Sequence, residues 1–85
     1  MKRAPIRIGD LLSRGGHVTT ASSSFIIDGR PVALRGDLID CSKHGINKII
    51  DGDDGYIEHG QSIALHRSRG ECGCEVLAST NAAEF

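Results

Sequence analysis

Short apolar runs alternate along the chain with polar turns, and little of it has the spacing of a helix. Runs of four to six residues, as in SFIID-GR-PVALR-GD and YIEHG-QSIALHR, end at glycine, aspartate, asparagine or serine. Such runs are typical of short β-strands. Asp28–Gly29, between two apolar runs, predicts a hairpin turn. We expect an all-β fold with little or no helix: residues 36–45 (GDLIDCSKHG) could form one helical turn, and residues 81–85 a frayed tail.

The pattern also repeats along the chain. Residues 25–41 align with residues 56–72, with identities at Ile26/Ile57, Gly29/Gly60, Ala33/Ala64, Leu34/Leu65 and Cys41/Cys72. A third, partial copy at residues 7–17 aligns Gly9–Asp10 with Gly36–Asp37 and His17 with His44. Units this small cannot bury their own apolar faces and must pack together. We therefore expect a single domain over residues 1–85, a small pseudo-threefold β-prism or cone whose equivalent turns converge at one end.

The composition predicts a thin core. A chain of 85 residues buries only roughly 60–65% of the surface that its unfolded form exposes. It has no Trp, one Tyr, two Phe and one Met, against eleven Gly. Domains of this size often depend on a metal, disulfides or a partner. We expect something besides aromatic packing to hold the fold.

The charge and hydropathy patterns narrow the choice of partners. A net charge of −1, from ten basic and eleven acidic residues, argues against nucleic acid, which needs a concentrated basic surface. No apolar run approaches the roughly 20 residues of a membrane span, so no stable membrane anchor is expected. The N-terminus lacks the apolar segment of a signal peptide. We expect the protein to start in the cytoplasm and, if secreted, to use a route that reads no such signal.

The cysteines suggest a metal site. An odd number of cysteines, Cys41, Cys72 and Cys74, in a cytosolic chain speaks against a disulfide framework. Cys41–x–x–His44 has the spacing of two zinc ligands from one turn, and Gly45 leaves the backbone free to curl round an ion. The repeat adds a histidine and a cysteine at equivalent positions. The predicted structural zinc site is therefore His17, Cys41, His44 and Cys72.

Other interpretations of these residues stay open. Cys41 could be a small buried hydrophobe beside an exposed His44. His66 is a candidate to replace His17 or Cys72 as a ligand. Cys74 alternates with Cys72 along an extended segment, so both can face one ion only if the chain turns at Gly73.

Catalysis is not expected. A catalytic zinc keeps an open coordination position beside a general base, and the chain contains neither an H-E-x-x-H nor an H-x-E…C-x-x-C pattern. Asp10 and Asp37 follow glycine in matching turns, where aspartate normally caps its own backbone. Their predicted role is structural.

The stretches FIIDGRPVALRGDLIDCSKHG and YIEHGQSIALHRSRGECGC resemble the PAAR-domain family, and the likeness extends over about residues 6–79. The naming Pro-Ala-Ala-Arg motif reads Pro31–Val32–Ala33–Leu34 here. Where many relatives have His-Gly-Gly, the chain has Arg14–Gly15–Gly16, and Arg67–Ser68 stands for a Gly-His. Of the His and Cys metal cluster of the family, only Cys41 and His44 are matched in place.

The resemblance implies a structural, metal-stapled tip on the trimeric VgrG-type spike of a type VI secretion system. Such a tip is delivered with the spike to pierce target-cell membranes, with an effector as a further candidate partner. Because the sequence ends at Phe85, a stand-alone tip is expected. The alternatives are a small zinc-binding adaptor that recruits an effector protein and, less favoured, a metal-dependent hydrolase.

Overall fold

The protein is seen in a computed structural model that describes residues 3–80, and these residues form no helix. Their strands are β1 (Gly16–Val18), β2 (Ile26–Ile27), β3 (Arg30–Pro31), β4 (Leu38–Cys41), β5 (Gly45–Lys48), β6 (Asp53–Glu58) and β7 (Gln61–Ile63). The predicted all-β fold class is confirmed. The helical turn suggested for residues 36–45 is wrong: this stretch forms β4 and the turn that leads into β5. The prediction for residues 81–85 lies outside the described part of the chain.

The strands pair in antiparallel fashion, as one three-stranded sheet of order β1-β4-β5 and two hairpins, β2–β3 and β6–β7. The hairpin turn predicted at Asp28–Gly29 is present, with φ angles of 51° and 81°. His59–Gly60 turns the second hairpin in the same way, at 54° and 77°. Two consecutive residues with positive φ match the right-handed twist of a tight hairpin.

Three extended segments close a ring of backbone hydrogen bonds. The N–H of Ile6 donates to the carbonyl of Ala64 (2.9 Å), that of Ala64 to Ala33 (3.0 Å), and that of Ala33 to Ile6 (2.8 Å). All three residues are fully buried. Because the three equivalent bonds form a closed cycle, the three segments surround a common axis. This is a pseudo-threefold axis, which relates the three copies of the repeat.

A matching turn follows each of these segments. In every case a buried side-chain oxygen accepts a hydrogen bond from the backbone N–H three residues earlier: Asp10 from Arg7 (2.9 Å), Asp37 from Leu34 (2.7 Å) and Ser68 from Leu65 (3.0 Å). The structural role predicted for the two aspartates agrees with these bonds. Without them, the buried donors would each cost about 1–3 kcal/mol.

Beyond its turn, each of the three copies of the repeat runs out to a second turn and back. The outgoing segment of each copy pairs with the returning segment of a neighbouring copy, so the three pairings form a cycle. The pairs are Leu12 with Val76, Ile39 with Val18, and Gly70 with Ile49. Each copy therefore covers the edge of its neighbour, which leaves few strand edges open for aggregation.

The core has two parts. The larger cluster lies between the three copies and includes Ile6, Val18, Ile39, Ile49 and Val76. The second lies beneath the two hairpins, where Phe25 and Tyr56 pack against buried aliphatic side chains with their rings 5.5 Å apart. In residues 3–80 the structure contains no helix that could cross a membrane.

Candidate metal centre

Three turns, one from each copy, meet beyond the ends of the strands. They span residues 12–16, 41–45 and 70–74. The first is bonded to the second, with the N–H of Ser42 donating to Gly15 (3.1 Å), and the third returns to the first, with Ser13 donating to Glu75 (2.8 Å). The second and third are joined by the N–H of Cys72, which donates to Oδ1 of Asn47 (3.3 Å). Each of the three turns is thus linked by hydrogen bonds to the other two, directly or through the adjoining residue.

Four donor side chains meet where these turns converge: Cys41, His44, Cys72 and Cys74. Their ligand atoms all lie within 4.8 Å of one another. The Sγ atom of Cys41 is 3.1 Å from Sγ of Cys74 and 3.5 Å from Nδ1 of His44. Cys41 and Cys74 are buried, Cys72 is half-buried and His44 is exposed, so the group reaches from the core to the surface.

The local backbone explains how each pair of donors faces inward. The N–H of His44 bonds to the carbonyl of Cys41 (3.2 Å), and Gly45 has a φ of 75°, so the turn brings the imidazole back over the thiol. Between the other two cysteines, Gly73 has a φ of 90°. This left-handed residue reverses the chain and allows both thiols to face one point.

The donor set fits a closed metal site. Tetrahedral Zn²⁺ with Zn–S bonds of about 2.3 Å places sulfurs about 3.8 Å apart, and a sulfur about 3.5 Å from a ligating nitrogen. The distance from Cys41 to His44 already matches, and Cys41 and Cys74 would move apart by about 0.7 Å on binding. A Cys₃His set with these spacings is therefore a possible Cys/His metal site.

The contacts within the group also favour the thiolate form of Cys41. Hydrogen bonds from Cys74 and then from His44 lower the pKa of Cys41 to about 6. The same bond to Cys41, together with burial, raises the pKa of Cys74 to about 12. These bonds favour the thiolate at Cys41, and the thiolate is the form of cysteine that binds a metal.

The PAAR motif family model matches residues 8–78 of the 85-residue chain. The chain belongs to the PAAR-motif family. PAAR domains are associated with the tip of the type VI secretion spike and are a structural family. Membership implies association with a VgrG spike and secretion by the type VI system. None of the curated proteins compared with the chain matches it.

In this PAAR domain, His17 is not one of the four converging side chains. His17 in β1 lies opposite Asp40 in β4, while Gly16 lies opposite Cys41. Successive side chains of a strand point to opposite faces, so His17 shares a face with Asp40 and not with Cys41. Of the four residues predicted as ligands, His17 is thus the one that does not lie in this group.

Hairpin length explains the difference. The first and third turns are closed by bonds between residues four apart, from Leu12 to Gly16 and from Gly70 to Cys74. In the central copy the corresponding partners, Ile39 and Asn47, are eight positions apart. The central turn itself also closes between residues four apart, Cys41 and Gly45, so the additional residues lengthen the two strands. His44 therefore lies at the tip of a longer hairpin, in a stretch that has no counterpart near His17.

Cys74 takes the fourth position in the group. The signal was the CGC sequence, because a glycine between two cysteines permits the reversal that brings both thiols together. His66, the candidate replacement ligand, is elsewhere: its Nδ1 accepts a hydrogen bond from the N–H of Ala78 (3.0 Å). Cys41, His44 and Cys72 lie together, as expected from sequence.

Proposed function

We propose that the protein is a metal-stapled tip that caps a trimeric VgrG-type spike and leaves the cell with it to pierce target-cell membranes. The ion is zinc, held by Cys41, His44, Cys72 and Cys74. The observation that carries this proposal is the Cys₃His group at the meeting point of three turns in a PAAR domain. Thiolate and imidazole ligands in a small closed group favour Zn²⁺ over harder cations.

The ion has a structural role. Four protein donors fill a tetrahedral coordination sphere and leave no open position for a substrate, unlike a catalytic zinc. The site joins the second and third turns, which belong to different copies. Zinc would therefore add a cross-link between two copies at the edge of the larger core cluster, which includes Cys41 and Cys74.

The opposite surface, formed by the two hairpins, is suited to the spike. Ile26 on β2 and Ile57 on β6 occupy equivalent repeat positions and are 59% and 55% exposed. Each isoleucine lies in a hairpin that comes just before a ring residue in the chain: β2–β3 precedes Ala33, and β6–β7 precedes Ala64. After the ring, β4 leads the chain away to Cys41. The hairpin surface and the metal site thus lie on different sides of the ring, and the pseudo-threefold ring matches the symmetry of a trimer.

Mixing the protein with its trimeric spike protein on a sizing column tests the proposal. We expect one copy to elute with three spike chains. The double variant Ile26→Asp, Ile57→Asp should reduce affinity at least tenfold, because it places charges in a buried apolar interface. Ile46→Asp, at a residue 65% exposed on β5, is the matched control and should bind normally.

Absence of a complex with the unaltered protein would contradict spike capping and favour an adaptor that recruits an effector. Loss of binding in Ile46→Asp, with normal binding of the double variant, would place the interface at the metal end instead.

A further inference from the structure

Three free thiols lie within one small volume, and two of them are close together. Cys41, Cys72 and Cys74 form no disulfide, and the Sγ atoms of Cys41 and Cys74 are only 3.1 Å apart. A disulfide bond joins sulfurs at about 2.05 Å, so a movement of about 1 Å would allow a bond. We infer that Cys41 and Cys74 form a thiol–disulfide switch, entered through Cys72, that releases the bound ion on oxidation.

Burial decides the order of events. Cys41 and Cys74 are at most 1% exposed, so a dissolved oxidant cannot reach them directly. Cys72 is half-buried and lies within 4.8 Å of both. Thiol–disulfide exchange requires the attacking sulfur to reach the disulfide. The half-buried thiol is therefore the entry point, and the buried pair receives the oxidising equivalent from it.

The chemistry proceeds by exchange with a small disulfide such as oxidised glutathione. The thiolate of Cys72 attacks it, forming a mixed disulfide and releasing one glutathione thiolate. Cys41 then attacks Sγ of Cys72 and expels the second glutathione thiolate, and Cys74 attacks Sγ of Cys41 and restores the thiolate of Cys72. Two electrons pass from the protein to the oxidant. The two glutathione thiolates take up the protons of the two protein thiols that form the disulfide. If zinc held these cysteines as thiolates, the protons come from water instead.

The consequence is loss of the ion. A disulfide sulfur is a poor metal ligand, so oxidation removes two of the four donors and leaves only Cys72 and His44. This inference rests on the metal centre of the proposed function. A tip that moves from a reducing cytoplasm into an oxidising compartment meets the conditions that operate the switch.

The test is a titration of the zinc-loaded and the chelator-treated full-length protein with oxidised glutathione. Differential alkylation with tandem mass spectrometry counts the free thiols and locates the modified cysteines, and elemental analysis of the protein-free filtrate measures the released zinc. We expect two of the three thiols to disappear, a disulfide between Cys41 and Cys74, and one zinc released per disulfide. In chelator-treated Cys72→Ser we expect the same disulfide to form about tenfold more slowly, because the entry thiol is missing.

Ser42→Ala, an exposed change next to Cys41, is the matched control and should oxidise at the unaltered rate. Stable glutathione on Cys72, a final disulfide that includes Cys72, or unchanged kinetics in Cys72→Ser would each overturn the switch. Failure of the proposed function is distinguishable, because then zinc or spike binding is absent while the Cys41–Cys74 disulfide still forms in the metal-free protein. Failure of the switch alone leaves zinc binding intact without that disulfide.

Discussion

Cys41 is the residue on which the chemistry of the site converges. Its sulfur contacts both the Cys74 thiol and the His44 imidazole, and these bonds favour its thiolate. A thiolate buried without a positive partner is costly, and a bound cation removes that cost. The buried thiolate of Cys41 is thus a reason for the site to bind a cation at neutral pH.

Replacing Cys74 should remove metal and stability together. Cys74→Ser puts a weaker zinc ligand and a buried hydroxyl in the site, and an unsatisfied hydroxyl alone costs about 1–3 kcal/mol. At this chain length each 1 kcal/mol shifts the melting temperature by about 4–8 °C. Elemental analysis and a thermal melt monitored by circular dichroism measure both effects.

His17→Ala is the matched control for that experiment. His17 is exposed, so zinc content should be unchanged and stability should stay within about 0.5 kcal/mol. If His17→Ala lost the ion while Cys74→Ser kept it, the ligand set predicted from sequence alone would be restored.

At the element scale, one carboxylate adds hydrogen bonds between the two hairpins to the packing of Phe25 and Tyr56. Glu58 in β6 accepts hydrogen bonds from the N–H of Ser24 (2.8 Å), the hydroxyl of Tyr56 (2.7 Å) and the hydroxyl of Ser23 (2.8 Å). The bond from Ser24, followed by those from Tyr56 and Ser23, lowers the pKa of Glu58 to about 2. Ser23 and Ser24 lead into β2, so this carboxylate fixes one hairpin against the other.

Glu58→Gln should therefore destabilise the protein in a pH-dependent way. Because the pKa in the folded state lies below the ordinary value of 4.5, the carboxylate stabilises the fold above that pH. Its contribution is lost as pH falls through about 2. We expect a lower melting temperature than the unaltered protein at pH 7, and a difference that closes towards pH 2.

Thermal melts of both proteins between pH 7 and pH 2 measure this difference. Both lose zinc as cysteines protonate, so comparing them at each pH isolates Glu58. Asp28→Asn removes one carboxylate from an exposed turn, where it lies 3.9 Å from the guanidinium of Arg7, and shows how much a loss of one negative charge outside the Glu58 hydrogen bonds changes the melting temperature. A difference that stays constant down to pH 2 would rule out the carboxylate as the stabilising group.

At the scale of the whole molecule, closed sets of contacts join the three copies in addition to the core. The ring at Ile6, Ala33 and Ala64, the cyclic pairing of the strands and the contacts among the three turns each join all three copies. Opening any one copy breaks contacts with both others. A single zinc ion that ties two copies together should therefore affect unfolding of the whole domain.

Zinc should raise the stability of the chelator-treated protein, by an amount that grows with the logarithm of the free zinc concentration once that concentration exceeds the dissociation constant. At a free concentration one thousand times the dissociation constant, the expected gain in the free energy of unfolding is about 4.1 kcal/mol. For a domain of this size that is a rise in melting temperature of about 16 °C or more. Melts across a zinc series measure it, and Cys74→Ser should show no zinc-dependent rise. A flat series for the unaltered protein would refute the staple.

Local features that depend on a few neighbouring residues were predictable. The Asp28–Gly29 hairpin follows from residues that tolerate positive φ, and the capping by Asp10 and Asp37 follows from a short side chain placed after a glycine. Cys41, His44 and Cys72 could also be named as candidates, because turn spacing and the 31-residue repeat mark them. These inferences need only the chain within one turn or one repeat.

By itself, therefore, the sequence determined the all-β class, the turn chemistry and the likeness to the PAAR family. Only the tertiary structure shows that Cys74, and not His17, lies beside Cys41, His44 and Cys72. Their positions depend on strand register, which places the side chain of His17 on the opposite face of the sheet from Cys41, and on a central hairpin four residues longer than its counterparts. Both are set by pairing between distant strands, and a one-residue difference in such pairing moves a side chain to the other face of the sheet.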